Sequence, residues 1–285
     1  MLKTKVLGLL RLFRFELPFT AGACVLLGQL LALKVIPAVS EMLLGFLSVF
    51  FISAAALIIN DYFDLDTDKI NAPERPLPSG LVTKQEVVLL FGVVTVLGWS
   101  VAYLINLYTF GVAVVVWGVG LLYNWKFKKA GLLGNLMVSF SVGMTFIFGS
   151  VAVGQPFEKV VWLFAVLAFL INLGEETAAD AMDLEGDRET GSRSLPVLIG
   201  RENTLKVSVS VFFLVCICSV LPFLFGWMEW VYFFPFLFMD AVILYSITKL
   251  LDVHSSDQRA YIRWIYLSAM VAILAVIAVQ LFSSY

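Results

Sequence analysis

The sequence predicts an all-α, polytopic membrane protein of about nine transmembrane helices, built as pseudo-repeated halves around a central cavity. The prediction depends on an apolar composition, on nine long apolar runs and on positive charge confined to one side. Of the 285 residues, 61% are hydrophobic and only 14% are charged, whereas soluble proteins carry about 25% charged residues. A water-soluble core of this size cannot hide so much apolar surface, so the bilayer must be the solvent for most of the chain.

A helix needs about 20 mostly apolar residues to cross a bilayer. Nine runs meet this requirement, at residues 17–35, 41–60, 87–106, 108–124, 132–153, 159–176, 205–226, 230–250 and 263–283. No stretch between them resembles a separate soluble domain, so we expect a single transmembrane domain over residues 1–285.

Positive charge supports this number of spans. All but two of the 19 Lys and Arg residues fall in the N-terminal segment or in the loops after spans 2, 4, 6 and 8. The exceptions are Lys34 and Lys159, on the other face. Because Lys and Arg accumulate on the cytoplasmic side, we expect a multi-pass protein of the cell membrane with a cytoplasmic N-terminus and Tyr285 outside.

Two short motifs recur in the same order. Asp64-x-x-x-Asp68 returns as Asp183-x-x-x-Asp187, and Arg75-Pro-Leu-Pro returns as Arg193-Ser-Leu-Pro, with nearly the same offset of about 120 residues. Each block follows an even-numbered span and precedes an odd one. The repetition therefore predicts two similar halves.

The first motif stands where span 2 reaches the cytoplasmic interface. In a continuing helix, Asn60, Asp64 and Asp68 share one face. Like charges at this spacing repel, and ionised groups near lipid are costly, so a divalent cation is the obvious compensation. We interpret Asp61 and Asp66 as ordinary solvated residues of a polar helix end.

The second motif continues the sixth apolar run. Glu176, Asp180, Asp183 and Asp187 follow the spacing of one helical face, and acids that begin within the membrane are candidates for function. We expect Glu175 and Glu185 to lie at the surface or in a supporting position. The single His254 and the three cysteines suggest no other metal site, catalytic triad or disulfide framework.

Carboxylates with basic neighbours indicate a phosphorylated ligand. Mg²⁺ usually binds through one or two carboxylates together with phosphate oxygens of the substrate. The loops beside the two motifs supply basic side chains, namely Arg75, Lys126, Lys128, Lys129 and Arg193. With lipid walls around it, such a site suits a diphosphate head with a hydrocarbon tail.

These residues resemble the UbiA superfamily of intramembrane prenyltransferases. Asn60-Asp61-x-x-Asp64-x-x-x-Asp68 is similar to the first signature of that family, and Asp180-x-x-Asp183-x-x-Gly-Asp187 is similar to its second aspartate motif. Arg75-Pro-Leu-Pro-Ser-Gly80, Tyr123-x-x-x-x-Lys128-Lys129 and Gly134-Asn135 are similar to further family segments. The resemblance covers essentially the whole chain. One departure is that many members carry Arg-Glu and Lys-Asp where this chain has Glu175-Glu176 and Ala179-Asp180.

The resemblance implies Mg²⁺-dependent transfer of a prenyl group from an isoprenyl diphosphate. Its implied metal ligands are Asn60, Asp64, Asp68, Asp180, Asp183 and Asp187, of which Asp64, Asp68, Asp183 and Asp187 act in catalysis. Its implied substrate-binding residues are Asn60, Arg75, Tyr123, Lys128, Asp180, Arg193 and Arg14. No general base is evident. The expected partners are the isoprenyl diphosphate, a lipid-soluble acceptor and membrane lipids, with no nucleic acid.

The acceptor remains open within the family. The compact chain resembles archaeal members most, which implies geranylgeranyl transfer to geranylgeranylglyceryl phosphate in ether-lipid biosynthesis. A phosphate on the acceptor would also occupy spare basic residues such as Arg11 or Arg14. The alternatives are aromatic acceptors, namely 4-hydroxybenzoate, dihydroxynaphthoate or homogentisate, and haem.

Two other classes compete. A CDP-alcohol phosphotransferase also uses acids and a divalent metal, but its motif order is absent and the motif here occurs twice. A cation transporter is typically built from inverted repeats with acids at the midplane. Here the acids lie near one interface, and four intervening spans make the halves parallel.

Overall fold

The computed structural model describes residues 2–189, 191–252 and 257–283. His254 and Tyr285 lie outside these ranges. The described residues form thirteen α-helices and no strand. The helices are α1 (Leu2–Arg11), α2 (Glu16–Leu33), α3 (Val39–Phe63), α4 (Leu65–Asn71), α5 (Lys84–Ile105), α6 (Leu107–Leu122), α7 (Leu132–Ala152), α8 (Lys159–Met182), α9 (Leu184–Glu189), α10 (Leu195–Ile199), α11 (Arg201–Leu224), α12 (Phe233–Leu250) and α13 (Gln258–Ser283).

Nine of the described helical segments are long and apolar enough to cross a membrane, as the sequence predicts. They are Glu16–Leu33, Val39–Phe63, Lys84–Ile105, Leu107–Phe127, Leu132–Ala152, Lys159–Met182, Arg201–Leu224, Trp230–Leu250 and Gln258–Gln280. The sixth span runs six residues beyond its predicted end. The added residues carry the start of the second motif, which the sequence predicts to continue this run with the spacing of one helical face.

Polar side chains start two of these helices. The Thr83 hydroxyl accepts a hydrogen bond from the Glu86 amide, and the Glu86 carboxylate accepts one from the Thr83 amide, so α5 begins with a capping box. The Asn106 side chain accepts from the Thr109 amide at 2.8 Å and starts α6. Asn106 alone separates α5 from α6, which makes this connection a tight hairpin.

The chain divides into two compact units, which are described separately. Unit 1 comprises the described residues up to Gln29, with Pro37–Lys126 and Thr145–Pro156. Its backbones approach closely at glycines: a Cβ on Gly28 would lie 2.3 Å from the Phe146 carbonyl oxygen, and one on Gly149 would lie 2.3 Å from that of Val25. Small residues that bring helices together are typical of packing in membranes.

Unit 2 comprises Leu30–Ile36, Phe127–Met144 and the described residues from Phe157 onwards. Here α8 packs against α11, where a Cβ on Gly174 would lie 2.7 Å from the Phe212 ring and the Ser208 hydroxyl donates to the Gly174 carbonyl at 2.7 Å. The Ser219 hydroxyl donates to Asp240 at 2.6 Å and joins α11 to α12. Helix α13 packs on α12 and α8.

Candidate functional site

The first aspartate motif stands at a break between two helices. Helix α3 ends at Phe63 and α4 begins at Leu65, with Asp64 between them at φ −86° and ψ −1°. The Asp64 amide still donates to the Asn60 carbonyl at 2.9 Å, and the Asp68 amide donates to the Asp64 carbonyl at 2.8 Å. The continuing helix on which the shared face of Asn60, Asp64 and Asp68 depends is therefore interrupted at one residue, although helical hydrogen bonding runs across the interruption.

The second motif repeats this local geometry in unit 2. Helix α8 ends at Met182, α9 begins at Leu184, and Asp183 joins them at φ −102° and ψ 11°. The Asp187 amide donates to the Asp183 carbonyl at 3.0 Å. Each motif thus places its central aspartate at the break and the next aspartate one turn further, which supports the predicted repeat at the level of local structure.

Asn60 is oriented by a second asparagine. Its amide nitrogen donates to the Asn124 side-chain oxygen at 2.7 Å, and Asn124 donates to the carbonyls of Ala56 and Gly120 at 3.2 and 3.0 Å. Asn124 is buried in the π-helical turn Tyr123–Phe127. Because the amide nitrogen of Asn60 is used in this contact, its oxygen is the atom that can serve as a metal ligand. Tyr123, in the same turn, is half-buried.

Asp68 is held by the arginine of the following loop. One nitrogen of Arg75 donates to both carboxylate oxygens of Asp68, at 2.7 and 2.6 Å, and Asp68 is only 5% exposed. Burial disfavours the charged guanidinium, but the hydrogen bond and the charge of Asp68 outweigh it and raise the pKa of Arg75 above its ordinary value. Arg75 therefore stays cationic beside the motif.

Hydrophobic contacts fix the loop that carries Arg75. Leu77 and Val82 are buried in one apolar cluster with Leu12, Ala54 and Ile58. The Val82 amide donates to the Pro76 carbonyl at 3.1 Å, which closes the loop between them. The loop is thus a positioned part of unit 1.

The interpretation of Asp61 as a solvated residue is wrong. Asp61 is 2% exposed and forms an ion pair with Arg14, which lies in the turn between α1 and α2. Arg14 has a φ of 44°, in the left-handed region that non-glycine residues seldom adopt. Asp66, by contrast, is solvated as predicted, with 94% of its side chain exposed.

The second motif is contacted by side chains far away in sequence. The Asn135 amide donates to the Asp180 carboxylate at 2.8 Å, and Asn135 is buried. At the helix break itself, Arg259 of α13 donates to the Asp183 carboxylate at 2.5 Å. Asp187 is partly exposed in α9. Asn135 thus orients Asp180 by a hydrogen bond, and Arg259 orients Asp183.

A cavity of about 460 Å³ opens between α8 and α13. Acidic, basic and apolar side chains line it together, namely Glu175, Glu176, Ala179, Arg259, Ile262, Arg263, Tyr266 and Leu267. Glu175, expected at the surface or in a supporting position, is half-buried in this lining. Glu185, for which the same was expected, is exposed.

Two loops predicted to bind phosphate meet through their backbones in unit 2. The Arg193 amide donates to the Lys129 carbonyl at 3.1 Å. Gly131 permits this approach: its φ is +60°, and a Cβ there would lie 2.2 Å from the Arg193 carbonyl oxygen. The side chains of Lys128 and Arg193 are exposed. Sequence reasoning assigned these residues to one ligand, and the structure shows the contact that brings their loops together.

We expect Gly131→Ala to destabilise the protein more than the same change at an open glycine. The alanine would meet a backbone carbonyl that cannot move aside, in addition to the cost of about 1–2 kcal/mol for a left-handed alanine. Gly226→Ala is the matched control, because Gly226 has a φ of +65° and no atom near its missing Cβ. The melting temperature in detergent should fall about twice as far for Gly131→Ala as for Gly226→Ala. Equal shifts would show that the loop contact is unimportant.

The donor set of both motifs suits Mg²⁺, which prefers carboxylate and amide oxygens. Among the residues that the structure describes, no three His, Cys, Asp or Glu side chains lie close enough to hold a metal ion by themselves. Mg²⁺ commonly binds through one or two carboxylates, with phosphate oxygens completing its shell. The residues therefore fit a metal that is bound together with a phosphorylated ligand.

The sequence does not predict the contacts of Asn124 with Asn60, of Arg14 with Asp61, or of Arg259 with Asp183. The partners are separated by 64, 47 and 76 residues. A signal existed only for Arg14, which was noted as a spare basic residue.

The sequence profile of the UbiA prenyltransferase family matches residues 21–270. The chain belongs to this family. Among its relatives, digeranylgeranylglyceryl phosphate synthase of Thermococcus kodakarensis is 35% identical over 258 residues, which cover 90% of this chain and 91% of the relative. The synthase of Methanopyrus kandleri is 38% identical over a match that covers 68% of this chain and 70% of the relative. The chain is accordingly a membrane-embedded prenyltransferase, as its motifs indicate.

Solved structures of the family have the same fold. A structure of digeranylgeranylglyceryl phosphate synthase is 28% identical, with a TM-score of 0.84, and covers 97% of this chain and 98% of its own. A UbiA homologue from Aeropyrum pernix is 20% identical, with a TM-score of 0.79 and coverage of 93% and 98%. A homologue from Archaeoglobus fulgidus, bound to GPP and Mg²⁺, is 19% identical, with a TM-score of 0.66 and coverage of 96% and 99%.

Proposed function

We propose that this prenyltransferase transfers a geranylgeranyl group from geranylgeranyl diphosphate to geranylgeranylglyceryl phosphate and releases diphosphate, as a step of archaeal ether-lipid biosynthesis. The observation that carries the proposal is the 35% identity to digeranylgeranylglyceryl phosphate synthase over 90% of the chain. The aromatic acceptors are the alternative within the family.

Each of the two motifs would hold Mg²⁺ together with diphosphate oxygens through its own three residues. Asn60, Asp64 and Asp68 belong to unit 1, whereas Asp180, Asp183 and Asp187 belong to unit 2. When bound, Mg²⁺ would neutralise the charge that develops on the departing diphosphate. The A. fulgidus homologue is bound to GPP and Mg²⁺, which supports the proposal that this chain also uses a prenyl diphosphate and Mg²⁺.

Basic residues would bind the phosphate oxygens directly. Arg75 keeps further N–H groups beyond those on Asp68, because a guanidinium has five donors. Lys128 and Arg193 lie in the two loops that meet at Lys129. Arg14 remains a candidate, although its contact with Asp61 already explains its position.

The reaction would break the bond between the first prenyl carbon and the diphosphate oxygen. An acceptor hydroxyl would form the new carbon–oxygen bond and lose its proton. Lipid and apolar side chains exclude water that would otherwise capture the allylic cation. The face of the Tyr123 ring would favour the positive charge of that cation.

Orientation follows from the distribution of charge. We propose a cytoplasmic N-terminus and an active site at the cytoplasmic side, since the basic loops adjoin both aspartate motifs and Lys and Arg accumulate there. We also propose one prenyltransferase domain over residues 1–285.

We expect Arg75→Lys to raise the apparent KM for the prenyl diphosphate by about ten-fold, because the compact ammonium of lysine replaces a planar guanidinium that can bind phosphate with two hydrogen bonds. Stability should change little, since a cation remains beside Asp68. Lys69→Gln is the control: Lys69 is exposed and pairs with the solvated Asp66. Steady-state kinetics at saturating acceptor measure the effect. An unchanged KM would leave Arg75 as a residue that only holds Asp68.

The direct test is a radiolabel transfer assay on purified protein in lipid nanodiscs. It would supply labelled geranylgeranyl diphosphate and Mg²⁺ with geranylgeranylglyceryl phosphate, 4-hydroxybenzoate, dihydroxynaphthoate or homogentisate, and EDTA as a control. EDTA-sensitive labelling of the glyceryl phosphate alone is the expected result. Labelling of an aromatic acceptor instead would retain the family chemistry but overturn the proposed substrate. Metal uptake by proteoliposomes without prenyl transfer would favour the transporter alternative.

A further inference from the structure

The cavity between α8 and α13 has a lining that suits one of the two substrates. We infer that it binds the phosphoglycerol head of the lipid acceptor: Arg259 and Arg263 hold its phosphate, and the Glu175–Glu176 pair accepts the proton of the hydroxyl that becomes alkylated. The inference rests on the proposed function and assigns the acceptor to a place in the molecule. This cavity is called the acceptor pocket below.

The size of the acceptor pocket suits a small head group with the first part of a chain. Its volume of about 460 Å³ lies within the range of about 300–1,000 Å³ that is common for small-molecule sites. All of its lining residues belong to unit 2. They come from the last two turns of α8 and the first three turns of α13.

Two guanidinium groups supply the anion site. Arg259 and Arg263 are four residues apart on α13, so they lie on the same helix face. Both are exposed and line the pocket. Arg259 uses one nitrogen on Asp183, which leaves other donors of its guanidinium for a phosphate oxygen. Arginine forks match phosphate geometry well.

The carboxylates argue against a purely anionic ligand. Glu175 and Glu176 line the same cavity, and they would repel a diphosphate that brought no hydrogen-bond donor. A glycerol phosphate carries both a phosphate and a hydroxyl, so its phosphate can face the arginines while its hydroxyl donates to a carboxylate. The apolar side chains of Ile262, Tyr266 and Leu267 suit its hydrocarbon part.

The reaction releases a proton from the acceptor hydroxyl, and the two glutamates can accept it. As the prenyl carbon–oxygen bond breaks, its electron pair leaves with the diphosphate. The acceptor oxygen forms the new bond to that carbon, and its proton passes to a carboxylate of the Glu175–Glu176 pair. A group that takes this proton must lie within hydrogen-bond reach of the hydroxyl, which the acceptor pocket allows.

The phosphate contact is tested with Arg263→Gln, because Arg263 can be changed without removing the arginine on Asp183. We expect the KM for geranylgeranylglyceryl phosphate to rise about ten-fold or more, with the KM for geranylgeranyl diphosphate unchanged. Wild type should prefer this acceptor over its dephosphorylated form, geranylgeranylglycerol, and the variant should lose most of that preference. Lys206→Gln is the matched control, as an exposed residue of α11 that pairs with Glu202.

The proton acceptor is tested with Glu175→Gln, Glu176→Gln and the double variant. Loss of a positioned base lowers turnover by about 100-fold or more, so we expect the double variant to lose kcat to this extent. Thermal unfolding and the KM for the diphosphate should not change. Glu202→Gln, at an exposed glutamate of unit 2, should leave kcat unchanged.

The outcomes separate this inference from the proposed function. If wild type labels the glyceryl phosphate but Arg263→Gln leaves both the acceptor KM and the phosphate preference unchanged, the inference fails and the proposed function stands. A raised KM for geranylgeranyl diphosphate alone would assign the pocket to the donor and overturn the inference. If wild type labels only an aromatic acceptor, the proposed function is wrong, and the inference that rests on it is wrong as well.

Discussion

Asp64→Asn should reduce prenyl transfer by about 100- to 1,000-fold while the purified protein remains folded. Asp64 lies at the break between α3 and α4, and its backbone hydrogen bonds do not involve the carboxylate. The substitution therefore keeps the shape of the motif and removes one negative charge. We propose that this charge holds the metal that neutralises the leaving diphosphate, so its loss should affect the chemical step.

The matched control is Asp66→Asn, two residues away. Asp66 is 94% exposed and contacts only the solvated Lys69 in the described structure, so the same chemical change should leave activity near that of wild type. Transfer rates at saturating substrates and thermal unfolding in the same detergent measure both variants. Equal activity of the two variants would remove Asp64 from the metal-binding residues. Asp183→Asn, with the exposed Glu185→Gln as its control, applies the same comparison to the second motif.

Arg14→Ala should lower the free energy of unfolding by about 3 kcal/mol. Asp61 is 2% exposed, so removal of Arg14 leaves a buried carboxylate without its ion-pair partner. For a chain of this size, the expected fall in Tm is about 5 °C. Replacing both residues, as Arg14→Met with Asp61→Leu, should recover much of the loss, because the cost arises from the unpaired charge.

Lys69→Ala provides the comparison for this ion pair. Its pair with Asp66 is exposed on both sides, and pairs of that kind contribute about 0–1 kcal/mol. Its Tm should therefore remain within a degree or two of wild type. If Arg14→Ala shifts Tm no more than Lys69→Ala does, the Asp61 carboxylate is stabilised by something other than Arg14.

The spans and motif positions could be predicted because they depend on local sequence. Lipid requires long apolar runs, and the helical spacing of Asn60, Asp64 and Asp68 can be counted directly. The single-residue breaks at Asp64 and Asp183 could not be predicted, since no Pro or Gly marks them. The continuation of the sixth span through Asp180 follows from the spacing of Glu176 and Asp180 on one helical face.

Long-range contacts determine the burial of two acidic side chains that could not be located from the sequence alone. Asp61 was interpreted as solvated because its neighbours are polar, but its burial depends on Arg14, 47 residues earlier. Glu175 was expected at the surface or in a supporting position, and its place on α8 does not show that it lines a cavity with α13. In both cases the side chain belongs to a polar motif, and tertiary packing determines whether water reaches it.

The separation between Arg259 and Asp183 also affects how the protein is made. At the first motif, Arg14 has already been synthesised when Asp61 emerges, and Arg75 follows Asp68 by seven residues. At the second motif, Asp183 precedes Arg259 by 76 residues. At about 5–20 residues per second of synthesis, this interval lasts roughly 4–15 seconds. During biogenesis, therefore, the ion pairs of Asp61 and Asp68 can form early, whereas Asn60 must wait 64 residues for Asn124 and Asp183 must wait for the start of the last described helix.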